Sequence, residues 1–521
     1  MSRAILKSTS ATGLATLLSR ITGLLRDTFM AQALGVGPVS DAFLVAFKIP
    51  NFLRRLFAEG AFSQSFVPVI SQYKVQRPEE EVRELVAGVA GTLGGVLFAF
   101  SVLGVLIAPA IIFLFAPKWA LAGSTEYEMA VQMLRWTFPY LFFISLTSLF
   151  SGVLNSYGRF FVPAITQVVM NAVLIVTALG FAAHSSNPGT TLAIGVFVSG
   201  VLQLLFQLPS VARLRLLAWP RWRPAMEGVR KVGKLMIPGI VGSSMAQISL
   251  LIDTQITTFL VTGSVTWLYY ADRLMEFPLG IFSIALATVI LPGLSAHHAS
   301  QSKEQFTQTL DWALRLTVLL ASPAAVGMLC FAVPMTATIF GYGRFEPEDV
   351  RMASYALMAY SWGLLGFSLV KVLAPGYYAR QDTKRPVRVA LTALACTMTL
   401  NIAVVLPAAK LGFPLPHVLI ATSTCIGAAI NTVLLWRGLV TAGVFRPSRL
   451  WPRFLVRVVL ANAAMAVVLV LLAGDAQRWV VMPFAERVLR CGGGIAAGAG
   501  MYFAVLWVLG LRYRDLRTQV I

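Results

Sequence analysis

The sequence predicts an all-α polytopic membrane protein, with about fourteen transmembrane helices forming two pseudo-symmetric six-helix lobes and two extra C-terminal helices. Three observations carry this. Of 521 residues, 57% are hydrophobic and 12% charged, with a mean hydropathy of +0.76, whereas soluble domains hold about a quarter charged residues. Apolar stretches of about 20 residues, long enough to span hydrocarbon as helices, recur from Ala11 almost to Leu511. Lys and Arg gather in alternate connections between them.

Breaking the apolar runs at Pro, Gly and charge clusters gives spans beginning near residues 9, 38, 84, 125, 161, 189, 229, 265, 304, 348, 384, 415, 453 and 484. The connections with Lys74, Arg77 and Arg83, and those at 213–234, 380–388, 437–453 and 512–517, are basic; those at 34–40, 184–190 and 261–266 hold no Lys or Arg. An even helix number and the positive-inside rule place both termini in the cytoplasm. Arg3 and Lys7 precede an apolar stretch as in a signal peptide, but Arg20 and Arg26 interrupt it and no small-residue cleavage site follows, so a retained first helix is expected.

The basic connection 213–234, with Trp219, Pro220, Trp222 and Pro224, marks a seam between an N-lobe, 1–222, and a C-lobe, 223–445, leaving 446–521 for the two additional helices. A weak repeat agrees with the seam. Asp27-Thr28 leads to Gly37 as Asp253-Thr254 leads to Gly263, and Lys48-Ile49-Pro50 is echoed by Glu276-Phe277-Pro278. Phe66-Val67-Pro68 is echoed by Ile290-Leu291-Pro292, and Arg159 before Pro163 by Arg380 before Pro386. Six helices per copy make the repeats parallel, about an axis along the membrane normal with a central cavity.

The net charge of +20 sits in short loops, with no fold to carry it to nucleic acid. Cys330, Cys396, Cys425 and Cys491 stand singly in apolar runs and read as small core residues, and the four histidines carry no metal-ligand spacing. With no HExxH, no phosphate-cradling glycine run and no acid/base pair apart from the arginines, an enzyme is not expected, nor any cofactor.

Chemistry concentrates on the first two spans, with Arg20, Arg26, Asp27, Asp41, Lys48, Arg54, Arg55 and Glu59, and on the eighth, with Asp272, Arg273 and Glu276. A charge at the bilayer centre costs about 2.5–3.5 kcal/mol on insertion scales, so these side chains must pair or face water. Arg20 with Asp27, and Arg55 with Glu59, share helix faces, and Glu276 stands three residues after Arg273. Pro50 and Pro278 each remove a backbone hydrogen bond where the charges cluster, and broken, charged helices at matching places in two halves point to a transport site. Ion pairs that hold helices together are the competing reading, strongest for Arg55, Glu59, Asp272 and Glu276. Arg20, Arg26, Arg54 and Arg273 leave a surplus of guanidinium, whose planar fork suits phosphate or diphosphate oxygens. Asp253 with Thr254 and Thr257, and Asn401, fit either a coupling-cation site or hydrogen-bonded helix packing. Lys371 fits a helix end from which it snorkels.

The motifs Ser19-Arg20, Gly23, Arg26-Asp27, Ser40-Asp41-Ala42-Phe43 and Asn51-Phe52-Leu53-Arg54-Arg55-Leu56-Phe57-Ala58-Glu59-Gly60-Ala61-Phe62-Ser63-Gln64 resemble the N-terminal signature of the MurJ (MviN) family. Gly263 to Trp267, Tyr269 to Pro278 and Val372 to Asp382 extend the resemblance over nearly the whole chain. It implies a transporter of the MOP (MATE-like) superfamily in the bacterial inner membrane, a flippase for lipid II, the undecaprenyl-diphosphate-linked peptidoglycan precursor. It further implies functional roles for Arg20, Arg26, Asp41, Arg54, Arg55, Glu59, Asp272 and Arg273, with cavity arginines on the diphosphate and the polyprenyl tail in lipid or in a groove of the last two helices. Sodium, which some relatives are thought to bind, or the membrane potential would supply energy, and cell-wall synthesis or division machinery would be partners. Alternatives are a flippase for another polyprenyl-diphosphate glycan, a MATE-like exporter, or a non-transporting scaffold of the cell-wall machinery.

Overall fold

The computed structural model describes residues 3–56, 62–280 and 284–512, and among these every regular element is a helix. The chain forms two compact units, Met1–Thr266 and Trp267–Ile521. The first holds α1 (Arg3–Leu34), α2 (Pro38–Arg54), α3 (Ser63–Gln76), α4 (Glu79–Leu106), α5 (Ala108–Phe115), α6 (Pro117–Ala122), α7 (Thr125–Thr137), α8 (Tyr140–Ser156), α9 (Phe161–Gly180), α10 (Pro188–Ala212) and α11 (Glu227–Thr258). At its end begins α12 (Ser264–Pro278). There follow α13 (Ile284–Ala299), α14 (Lys303–Cys330), α15 (Ala332–Phe340), α16 (Pro347–Tyr378), α17 (Lys384–Leu400), α18 (Leu406–Lys410), α19 (Pro416–Thr441), α20 (Trp451–Ala473), α21 (Ala476–Val481) and α22 (Phe484–Val508).

Among the described residues, ten helical stretches are long and apolar enough to cross a membrane, and they match the expected spans beginning near 84, 125, 161, 189, 304, 348, 384, 415, 453 and 484. The count of fourteen is therefore not reached by length and composition alone. The spans expected near 9, 38, 229 and 265 are helical too, as α1, α2, α11 and α12; α1, α2 and α12 carry charged residues within their length, whereas those of α11 lie at 227–234 and at Asp253 and leave 235–252 uncharged. In α1, α2 and α12 the ionic content or proline would be costly against lipid.

Helix lengths echo the sequence repeat: α1 and α11 have 32 residues each, α4 and α14 have 28 each, and the α7–α8 stretch and α16 have 32 each. The helix α11, expected from sequence to open a second copy, packs on α3, α4, α5 and α6 within the first unit. Pro50 and Pro278 lie inside α2 and at the end of α12, and the α-helical pattern gives way to wider π-type turns at 55–56 and 279–280.

In the first unit, α1 lies along α9, α2 along α7, and α10 against both α8 and α9. Its apolar core gathers Phe66 and Ile70 of α3, Leu85 and Val89 of α4, Leu149 and Val153 of α8, and Val232 of α11. The basic connection is seated on α4 by glycines: a Cβ on Gly91 would lie 2.3 Å from the Arg221 backbone, and one on Gly95 would lie 2.6 Å from the Trp222 ring. Arg221 N–H donates to the Ala87 carbonyl at 3.0 Å, so the connection is held by its backbone.

In the second unit α16 packs between α14 and α19, over a core that includes Leu310, Leu314, Leu373, Tyr377, Leu435 and Leu439. The helices α20 and α22 pair and dock on α14 and α15. Asp311 of α14 accepts Trp451 Nε1–H at 2.6 Å and Ser448 N–H at 3.2 Å, fixing the start of α20. Arg487 of α22 is buried and donates to the carbonyls of Met482 (2.8 Å), Ala337 (3.1 Å), Gly341 (2.7 Å) and Val480, with its guanidinium over the Tyr342 ring. A guanidinium can satisfy several orphan helix-end carbonyls at once because its donors spread in a planar fork.

Candidate functional site

The first unit places Arg26 and Asp27 of α1 under α9, where they are 7% and 2% exposed. Asp27 Oδ1 accepts Arg26 Nη2–H at 2.7 Å and Nε–H at 3.0 Å, and Arg26 Nη1–H reaches Asn171 Oδ1 of α9 at 3.0 Å. The Asn171 amide in turn donates to the Ser19 carbonyl (3.1 Å) and Thr22 Oγ1 (3.0 Å). The ion-pair partner of Asp27 is thus its neighbour Arg26 rather than Arg20, the residue seven positions earlier on the same face. Adjacency lets one guanidinium chelate the carboxylate without spanning two helical turns. Arg20 is half-buried and makes no ion pair among the described residues. Asn171 was not singled out from sequence; an Asn inside the apolar run Val168 to Val176 was the available signal.

Asp41, in the first turn of α2, is 1% exposed. Its Oδ2 accepts Gly263 N–H at 2.6 Å, and its Oδ1 accepts Thr266 N–H at 3.0 Å and Thr266 Oγ1–H at 2.6 Å. A carboxylate on the first N–H groups of α12 complements the positive end of that helix, so α2 supplies a cap that α12 lacks in its own sequence. The chain reaches this geometry through Gly263, whose φ of 96° lies in the left-handed region. Arg54, at the end of α2, is half-buried beside Asn51, with Nε 3.4 Å from Asn51 Oδ1, and Arg55 is exposed. Glu59, expected to pair with Arg55, lies outside the described residues.

In the second unit Arg273 Nη1 meets Glu276 Oε2 at 2.8 Å, the i, i+3 pair expected on α12, and its guanidinium lies 4.9 Å from the Tyr269 ring centre. Asp272 is half-buried beside it. Of the candidate cation ligands, Asp253, Thr254 and Thr257 share α11 in the first unit, where Thr257 Oγ1–H already donates to the Asp253 carbonyl at 2.6 Å. Asn401 belongs to the second unit, at the start of a π-type turn, Asn401–Val405, and accepts a hydrogen bond from Ser423. No group of three or more His, Cys, Asp or Glu that would hold a metal ion occurs among the described residues.

The family model described as lipid II flippase MurJ matches residues 30–490. A protein of Haemophilus influenzae named as a probable lipid II flippase MurJ is 43% identical, over 97% of this chain and 100% of its own. A solved lipid II flippase MurJ in an inward closed conformation superposes with a TM-score of 0.76 at 24% identity, covering 97% of this chain and 99% of its own. An inward-facing MATE family multidrug transporter of the MOP superfamily shares the fold at a TM-score of 0.64 and 14% identity, over 85% of this chain and 99% of its own. The charged helices and the all-helical, multi-pass architecture therefore stand in a known context, and the chain belongs to the lipid II flippase MurJ family.

Proposed function

We propose that this protein is a lipid II flippase of the bacterial inner membrane, with both termini cytoplasmic. It carries the undecaprenyl-diphosphate-linked precursor from the cytoplasmic to the periplasmic leaflet by alternating access, and is a transporter rather than an enzyme. The observation that carries this reading is that α1, α2 and α12 are helices of a multi-pass protein that carry charge or proline within their length and would be costly against lipid. Their arginines, Arg20, Arg26, Arg54 and Arg273, supply a cationic surface for the diphosphate, while the tail stays in lipid or beside α20 and α22. Asp27 and Asn171 hold Arg26 at a fixed place, as Tyr269 and Glu276 hold Arg273, so that little side-chain entropy is lost when the anion arrives. Sodium or the membrane potential drives the cycle; one charge moved through 100 mV is worth about 2.3 kcal/mol. Cell-wall synthesis proteins are its partners.

The test replaces Arg20, Arg26, Arg54 and Arg273 singly by Ala in cells depleted of the native protein and measures lipid II on the outer leaflet. Loss of translocation at normal membrane levels is expected. Full translocation by all four variants would leave them as structural ions and favour a scaffold.

A further inference from the structure

A cavity of about 320 Å³ opens in the second unit, away from every residue assigned above. Three separate stretches line it: the α13–α14 turn with His297, His298 and Lys303, Arg380 just after α16, and the segment 442–444 just after α19. No Asp or Glu is among its lining residues, and neither Lys303 nor Arg380 makes an ion pair among the described residues. Two cations and two imidazoles are thus brought to one concave surface with no carboxylate among its lining residues. The turn is rigidly built. Gln301 adopts a left-handed φ of 56°, Ser302 N–H donates to the His297 carbonyl at 3.0 Å, and Thr307 Oγ1–H donates to the Val444 carbonyl at 3.0 Å, tying two of the three stretches together. Ser302 occupies the N-cap of α14 without its hydroxyl capping the helix, so that hydroxyl also remains available at the wall. The positive end of α14 meets this surface together with the negative C-terminal ends of α13, α16 and α19, so its positive potential rests on the side chains of Lys303 and Arg380 rather than on helix dipoles.

We infer that this cavity is a binding site for a phosphate group, carried either by an anionic phospholipid headgroup or by a soluble phosphate. Lys303 supplies a point charge, Arg380 a planar fork, and Ser302 with the imidazoles supplies hydrogen-bond donors, the set that phosphate oxygens require. The volume lies at the lower end of ligand pockets, which suits a headgroup. The site is independent of the translocation site, because none of the arginines proposed to meet lipid II lines it.

The experiment uses the purified full chain, delipidated in neutral detergent. Binding of phosphatidylglycerol is measured by native mass spectrometry against phosphatidylcholine, and that of inorganic phosphate by thermal shift against chloride at matched ionic strength. Wild type is compared with the double variant Lys303→Ala/Arg380→Ala and with Gln301→Glu, an isosteric change that brings a negative charge to the wall and keeps the assay readable if the double variant does not fold. Loss of two charge-assisted contacts is expected to weaken binding about tenfold or more. Loss of phosphatidylglycerol alone in the variants assigns the site to a lipid headgroup, and loss of the inorganic phosphate response alone assigns it to a soluble phosphate. If wild type and both folded variants bind both probes equally, or bind neither, the inference is overturned.

Discussion

Replacing Asp41 by Asn isolates the charge of the cap between α2 and the start of α12. The carboxylate accepts three hydrogen bonds through two oxygens, at 2.6, 3.0 and 2.6 Å, and is 1% exposed. An Asn of the same shape has one acceptor oxygen. In its better orientation it keeps Thr266 and turns its NH₂ toward Gly263 N–H, a donor facing a donor. The loss of one charge-assisted bond, together with the interaction of a full charge with a helix N-terminus, amounts to about 2–4 kcal/mol. Thermal unfolding of the purified protein in detergent micelles should therefore show a marked decrease for Asp41→Asn and a larger one for Asp41→Ala, which leaves both N–H groups unmet. Pairing either change with Thr266→Val should be less than additive, because the two residues share a bond. If Asp41→Asn unfolds with wild type, or the two changes add fully, the cap does not hold α2 to α12 and the account above fails.

Two other sites give separable outcomes. Arg487→Ala removes the donor that four carbonyls share and should destabilise the protein by about 3 kcal/mol or more, with Arg487→Lys recovering only part; thermal unfolding of both variants checks this. Gly91→Leu forces a side chain into the Arg221 backbone, 2.3 Å from where its Cβ would lie; displacing the connection from α4 costs about 1–3 kcal/mol. Trypsin should then cut after Arg221 faster than in wild type, and unchanged cleavage would show that the connection does not depend on this seat.

Much of the fold was legible because hydrocarbon imposes a length and a composition on anything that crosses it. The ten apolar stretches needed no tertiary information. Three further helices, α1, α2 and α12, were legible as helices, yet Arg26, Asp27, Asp41 and Arg273 spoil their hydropathy for the reason that makes them interesting. Pairing was less legible. Glu276 was found for Arg273 because both lie on one helix face, within reach of a local rule. Asp27 obeyed no such rule and chose Arg26, and Asn171 joined them from 145 positions away. The partners of Asp41 lie 222 and 225 positions on, where a local pattern carries no information at all.

These pairings change what each arginine can do. A guanidinium has five N–H donors, and Arg26 already commits at least three of them to Asp27 and Asn171. Its charge is balanced at 2.7 Å, so its pull on an arriving anion is that of a dipole rather than of a free cation. Arg20 forms no ion pair among the described residues and keeps its monopole. Coulomb attraction falls as the inverse of distance for a monopole and faster for a dipole, so under the function proposed above Arg20 would draw an anion from farther away than Arg26. The sequence shows these two arginines as equivalent neighbours on one helix. The carboxylate beside Arg26 and the amide from α9 make them electrostatically different, one a free charge among the described residues and the other half of a buried ion pair.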